Sequence, residues 1–484
     1  MSEPRHLIIH GHFYQPPRES PWTGLIAQES GAAPYPNWNE RILAECYAAN
    51  AAAKVEDGKL VRLFNNYERL NFDCGPTLAR WLARHGENAY RAMLRGDESS
   101  CGAHRGHGNA IAQAFNHSIL PLLSPRDREL QIAWGLEDFR FRFGRDAEGI
   151  WLPECAADEA TLESIAAARV KFVILGSDQG RYRGATAADR SAGPFIWRGS
   201  SGTVAIFRFD RELSVALLGP SYLADGRRLA DAIIKVILEL PPGAALMLAC
   251  DGEYLGHHRR AGADEAARAI DIIAERGDIE VTNCGAYLAG HPAAGEFTIN
   301  TPSSWSCPHG VERWRADCGC RLNPKLSQEW RAPLRAAMEF VTAHCDAVYE
   351  RFAAPLLSDP FAALKDSMAL ALDESAAATE RFFARHRVPD SARQERLATL
   401  FEMQHAAHTT LTSCAWFFDD FGGPEGRVAL RWAARAVELA AIYAPTIEPE
   451  LLDRLRAIRS HRREVGDAAT LYLSLKTRES RGRM

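Results

Sequence analysis

Long apolar runs are missing from this sequence. None reaches the ~18 residues that a membrane span needs, so no spanning helix is expected. The opening MSEPRHLIIHGHF is charged early and has only a three-residue apolar run before His10, which argues against a secretory leader. No charge sign dominates: 57 Lys and Arg face 62 Asp and Glu, for a formal net charge of −5. A balance this close to neutral argues against nucleic acid or an anionic membrane as partner. Internal repeats and low-complexity tracts are absent too. The eleven Cys are odd in number and scattered singly, which excludes a disulfide scaffold and fits a cytoplasmic protein with reduced thiols. What remains is an ordinary folded composition, 46% apolar and 25% charged over 484 residues. That length predicts two to four domains.

The first 300 residues alternate short apolar runs with amphipathic stretches. The strand-like runs are His6–Phe13, Leu60–Tyr67, Ile150–Glu154, Val170–Gly176, Thr203–Asp210, Ala245–Asp251 and Ile279–Asn283. Several are continuously apolar, as in strands buried on both faces. Segments such as Ala157–Ala168 and Arg227–Leu240 carry helical spacing between them. Alternation of this kind predicts a parallel sheet wrapped by helices, here a (β/α)7-type barrel. After Trp305 the strand signals fade. Leu326–Leu357, Phe361–His386, Ala392–Phe418 and Val428–Tyr443 read as amphipathic helices. The expected organisation is an α/β barrel domain over residues 1–310 followed by an all-α domain over 311–484.

Active sites of β/α barrels are built at the C-terminal ends of the strands. Here one run ends in His10-Gly11-His12, another in Trp151-Leu152-Pro153-Glu154, and a third in Asp251-Gly252-Glu253, followed by Gly256-His257-His258. His10 and His12 alternate on a strand and so face the same way. A carboxylate closing an apolar strand is costly to bury unless it is paired or used. Two carboxyl groups facing one pocket can hydrolyse a glycosidic bond, one as nucleophile and one as acid/base. Glu154 and Asp251 are the two candidates.

These motifs resemble those of glycoside hydrolase family 57. HGHFYQPP matches the family's first motif, GIWLPECA the third and ACDGEYLGHH the fourth. The resemblance implies a retaining glycoside hydrolase or glucanotransferase acting on α-linked glucans through a covalent glycosyl-enzyme intermediate. It assigns Glu154 as nucleophile and Asp251 as general acid/base, with no cofactor and no metal. Its second motif corresponds to GHGNAIAQAFNHSILPL, where Asn109 stands in place of the usual Glu. Two segments compete for the aromatic final motif: SSWSCPHGVERW, with Trp305, and TSCAWFFDDF, with Trp416. The implied sugar contacts are His10, His12, Trp22, Asn109, Glu253, His257, Trp305 and Trp416.

Two metal readings compete with this one. His10, His12, His104, His107, Asp251 and His257 could hold a catalytic metal, as in barrel deacetylases or α-mannosidases. Cys307, His309, Cys318 and Cys320 could bind zinc, but the spacing is not a C-x2-C knuckle. A non-catalytic carbohydrate-binding protein is the third alternative, kept open by Asn109.

Overall fold

A computed structural model describes residues 3–182, 190–219 and 221–481. The chain divides into two compact units that interleave in sequence. One comprises Met1–Gln15, Gln28–Ala114 and Phe139–Trp305, and the other Pro16–Ala27, Phe115–Asp138 and Ser306–Met484. This differs from the two contiguous domains expected, 1–310 and 311–484. Two segments ahead of residue 310 fold with the helices because their large side chains are anchored there. The Trp22 indole donates to Glu438 at 2.6 Å, and the buried Trp134 donates to the Leu364 carbonyl at 3.0 Å.

The first unit is built on seven parallel strands in sequential order: β1 (Arg5–Phe13), β2 (Asn71–Cys74), β3 (Ala110–Gln113), β4 (Gly149–Trp151), β5 (Phe172–Gly176), β6 (Gly202–Phe209) and β7 (Ala245–Asp251). β7 pairs with β1, and each of β2 to β6 pairs with the strand before it. The seam between β6 and β7 is bridged by Ala192. It accepts from Arg208 N–H at 2.9 Å and donates to the Ala245 carbonyl at 2.8 Å. Asp210 N–H reaches the Met247 carbonyl at 2.9 Å across the same seam. The result is a (β/α)7 barrel, the expected class.

Strand periodicity decides what faces inward. Leu7 and Ile9 of β1 and Leu246, Leu248 and Cys250 of β7 pack outward against Leu229, Ile233, Ile237, Ile270 and Ile273 of the surrounding helices. The alternate residues, among them His10, His12 and Asp251, therefore point into the barrel. In register, His12 lies beside Asp251 on one side and Asp73 on the other.

Two expected strands are placed differently. Leu60–Phe64 is no barrel stave; it pairs antiparallel with Ala53–Asp57 in a separate hairpin, leaving Leu60, Val61 and Leu63 exposed. The true second and third staves, β2 and β3, have only four residues each. That is too short to show a period. Ile279–Val281 pairs with the N-terminal part of β1 and adds no stave.

The second unit is helical. Its long members are Arg331–Ala353, Ser391–Thr409 and Pro424–Ala440. The single helix expected over Phe361–His386 is three: Pro360–Asp366, Met368–Leu372 and Ala376–Arg385. The last break is set by Ser375, whose hydroxyl caps Ala378 N–H and starts a new helix. Among the described residues no helix is long and apolar enough to cross a membrane.

Candidate active site

The C-terminal ends of β1, β2, β4 and β7 bring one cluster together. Its centre is Asp73, the last residue but one of β2, which has no solvent exposure. His10 Nε2 lies 3.0 Å from Asp73 Oδ1, and His12 Nδ1 lies 2.9 Å from Oδ2. Asn71 Nδ2 donates to His10 Nδ1 at 2.7 Å, which fixes the neutral tautomer whose Nε2–H donates to Asp73. The two imidazoles sit on one carboxylate but titrate apart. Burial dominates at His10 and lowers its pKa against the pull of Asp73. Burial also opposes the charge on His12, but Asp73, Asp251 and Glu253 together outweigh it and raise the pKa to about 9. Burial likewise opposes ionisation of Asp73, but His12 and His10 hold its pKa below the usual value. His12 is thus a fixed cation at neutral pH, paired with an ionised Asp73.

Both imidazoles stack on the indole of Trp151, at 4.6 and 5.0 Å between centroids. Trp151 meets Trp305 edge-on at 5.1 Å. The Trp305 Nε1–H donates to Glu154 Oε2 at 3.0 Å, and Trp305 N–H donates to the Glu154 carbonyl at 3.0 Å. Glu154 follows β4 on a tight turn. It and Cys155 both have left-handed backbones, φ 59° and 47°. For side chains with a Cβ that conformation costs roughly 1–3 kcal/mol each and is found where surrounding structure enforces it. Here the enforcing bonds run from Cys155 N–H to the Leu152 carbonyl (2.7 Å) and from Gln179 to the Cys155 carbonyl (2.6 Å). The turn presents the Glu154 carboxylate in one orientation, held by a charge-assisted bond from indole.

Asp251 ends β7. Burial raises its pKa to about 6, with Glu253 and Asp73 adding to the shift and His12 opposing it. Such a carboxyl group can carry a proton into a reaction near neutrality. Glu253 lies buried one turn on. It accepts from the Tyr47 hydroxyl at 2.8 Å and from Gln15 at 3.4 Å, and burial raises its pKa as well.

The other expected site residues separate into groups. His257 accompanies this loop and pairs with Glu45 at 2.5 Å. His10 is fully enclosed with both ring nitrogens engaged. It supports Asp73 and has no surface for a sugar, a correction to its expected role. Asn109 is a second correction. It precedes β3 and so lies at the N-terminal end of the barrel. There its amide donates to the Tyr67 carbonyl (3.1 Å) and accepts from Asn283 (3.0 Å). A strand advances ~3.3 Å per residue, so four residues carry the chain roughly 13 Å from Asn109 to the other end. The residue that stands there is Gln113, level with Trp151. It is buried, and neither polar atom of its amide has a hydrogen-bond partner. Gly75 makes room for it: a Cβ there would stand 3.1 Å from the Gln113 oxygen and 2.9 Å from the Tyr14 ring.

Trp22 and Trp416 belong to the helical unit. Trp416 is wholly buried, donates to the Arg331 carbonyl at 3.2 Å and has Arg335 over its ring. It is a core residue with no face for a sugar, a correction to its expected role. The rival catalytic-metal set is also divided. His107 pairs with Glu148 at 2.9 Å, just ahead of β4, at the barrel end opposite His12 and Asp251. Sequence reading missed Asp73, Asn71, Trp151, Gln113, Tyr47 and Gln15. Asp73 had one signal, a carboxylate closing an apolar step just before Gly75-Pro76.

Fold and site together define a β/α-barrel protein with a buried histidine–carboxylate cluster at its strand C-termini. Residues 99–299 match the model of glycosyl hydrolase family 57. Residues 327–479 match a domain of unknown function, DUF3536. No curated protein sequence matches the chain. Among solved structures it is similar to an exo-type maltose-forming amylase from Pyrococcus sp. ST04, with TM-score 0.67 and 14% identity over 98% of this chain and 92% of that one. It is also similar to a branching enzyme from Thermococcus kodakaraensis, with TM-score 0.57 and 14% identity over 99% and 94%. A 4-alpha-glucanotransferase from Thermococcus litoralis matches with TM-score 0.55 and 16% identity, over 91% of this chain and 60% of that one. At these identities the likeness establishes a shared fold.

Proposed function

We propose that the protein is a retaining glycoside hydrolase or glucanotransferase acting on α-linked glucans. The observation that carries this reading is Asp251, which closes β7 and whose pKa burial raises to about 6, in the barrel that presents Glu154 on a constrained turn. The activities named for the three similar structures, an amylase, a branching enzyme and a glucanotransferase, support the substrate class. Glu154 attacks the anomeric carbon as its carboxylate. Asp251 gives its proton to the departing glycosidic oxygen, and a glycosyl ester to Glu154 remains. Asp251, now ionised, takes a proton from water or an acceptor hydroxyl as that oxygen displaces Glu154. His12, charged and fixed by Asp73, sets the field around Asp251. Trp305 offers an aromatic face, and Gln113 supplies the amide first expected of Asn109. A cytoplasmic location accompanies this reading, supported by eleven cysteines that are all free thiols.

The test is a product profile on a ladder of maltooligosaccharides, with Glu154→Gln and Asp251→Asn as controls. Shorter products alone mean hydrolysis, longer ones transfer, and new branch points branching. Wild-type-like activity in either variant would sink the assignment. A glycosyl adduct on Glu154, trapped with a slow fluorinated donor and located by mass spectrometry, would establish the retaining course.

A further inference from the structure

Past Trp305 the chain runs from Ser306 to Trp330 with a single short turn of helix, Glu312–Trp314. Irregular segments of this length are uncommon in a compact unit unless something orders them. Four side chains of this segment converge: Cys307, His309, Cys318 and Cys320, whose ligand atoms all lie within 4.8 Å of one another. The Cys307 sulfur is 3.9 Å from that of Cys318 and 3.7 Å from that of Cys320. His309 Nδ1 is 3.6 Å from the Cys320 sulfur and 4.0 Å from that of Cys307. Zinc with Zn–S bonds of ~2.3 Å and Zn–N bonds of ~2.0–2.1 Å in a tetrahedron requires S···S edges of about 3.8 Å and S···N edges of about 3.6 Å. Three of the four edges above lie within about 0.1 Å of that frame, and the fourth, His309 to Cys307 at 4.0 Å, is about 0.4 Å longer.

The backbone is shaped for it. Gly310 N–H closes a turn onto the Cys307 carbonyl at 3.2 Å, bringing His309 back over Cys307. Gly310 and Gly319 both take left-handed φ, 82° and 85°, where a Cβ would be strained. Gly319 sits between Cys318 and Cys320.

Charge supplies an independent argument. Arg331 is wholly buried, and its Nε and Nη1 have no hydrogen-bond partner. Burial works against its charge, and Asp419 is among the groups that favour it. A buried guanidinium is costly without a counter-ion. Zn²⁺ held by three thiolates and a neutral imidazole carries a net charge of −1 and would serve as one beside Asp419. By contrast, the cluster of Asp127, Asp346 and His408 already holds a cation, because Arg126 contacts Asp127 at 3.2 Å and Asp346 at 2.9 Å.

We propose that Cys307, His309, Cys318 and Cys320 form a structural Cys3His zinc site that orders the segment after Trp305. Four protein ligands close the coordination shell, so the metal is structural and leaves the sugar chemistry to the barrel. Binding zinc displaces three thiol protons to solvent, with no change of oxidation state. The full-length protein, purified with zinc in the medium, is expected to carry about one zinc per chain by elemental analysis, as a single Cys3His site requires. Exchange with cobalt(II) is expected to give thiolate-to-metal charge-transfer bands and the strong d–d bands of tetrahedral cobalt. Cys318→Ser and Cys320→Ser are expected to lose the metal. If these variants fail to fold, the cobalt spectrum of the unmodified chain decides. A metal-free protein that gives no tetrahedral cobalt spectrum would overturn the proposal. So would full zinc content in both serine variants, or a disulfide among these cysteines in freshly purified protein.

Discussion

The two ends of the barrel both bury charge, and they do opposite things with it. At the N-terminal end, Asp97 accepts from Arg145 at 2.8 and 2.9 Å and from Ala110 N–H at 2.8 Å. Arg145 also donates to the Ala110 carbonyl at 2.8 Å, and Ser100 accepts from Asn109 N–H at 2.8 Å. This acid has its cation, and the arrangement holds the start of β3 in place. In the cluster around His12 at the C-terminal end, three acids, Asp73, Asp251 and Glu253, share one imidazolium among the described residues. One of those acids is held ionised while the other two are pushed toward their protonated forms. Compensated charge stabilises a fold, whereas uncompensated charge stores proton affinity that chemistry can use.

The comparison can be broken by substitution. Glu154→Gln and Asp251→Asn are expected to lower kcat on maltooligosaccharides roughly 10³-fold or more, with unfolding midpoints close to the unmodified protein. Asp97→Asn is expected to behave inversely. It should cost about 3 kcal/mol of stability in urea unfolding by leaving Arg145 without its partner, while kcat of the folded fraction stays unchanged. A fall in kcat there would erase the distinction between the ends.

pH dependence sharpens the comparison further. A general acid works protonated, so kcat/KM is expected to fall as pH rises through about 6, the value to which Asp251 is raised. Glu253 raises that value and His12 lowers it. Glu253→Gln should therefore move the alkaline limb to lower pH, and His12→Gln should move it to higher pH. Shifts in the same direction would refute the assigned electrostatics. The smallest expected effects separate two amides on one strand. Gln113→Ala should raise KM about tenfold, a loss of ~1.4 kcal/mol in binding. Asn109→Ala should leave KM alone and cost about 1 kcal/mol of stability from its lost hydrogen bonds.

Much of the site was legible because its strands are long and buried on both faces. β1 and β7 read as apolar runs, so their closing residues, His12 and Asp251, could be assigned to one barrel end. Glu154 followed from the short apolar run Ile150–Pro153 ahead of it and from the motif GIWLPECA, since β4 itself has only three residues. Asp73 was hidden because Asn71–Cys74 is too short for any period and begins with a polar residue. Asn109 was misplaced because a motif gives spacing along the chain but not which end of a strand a residue occupies. Trp151 was read as part of a strand, and only its stacking against His10 and His12 reveals its role.

Sequence alone therefore determined the barrel class, the helical region and the carboxylates at the strand ends, since burial patterns and strand direction are local properties. Tertiary structure decided which acids share a histidine, and that Gln113, not Asn109, stands with Trp151 on the strands. It also joined Pro16–Ala27 and Phe115–Asp138 to the helices. And it gathered Cys307, His309, Cys318 and Cys320, whose spacing argued against a zinc knuckle. Ligand geometry depends on where turns return the chain in space, and two left-handed glycines set those turns.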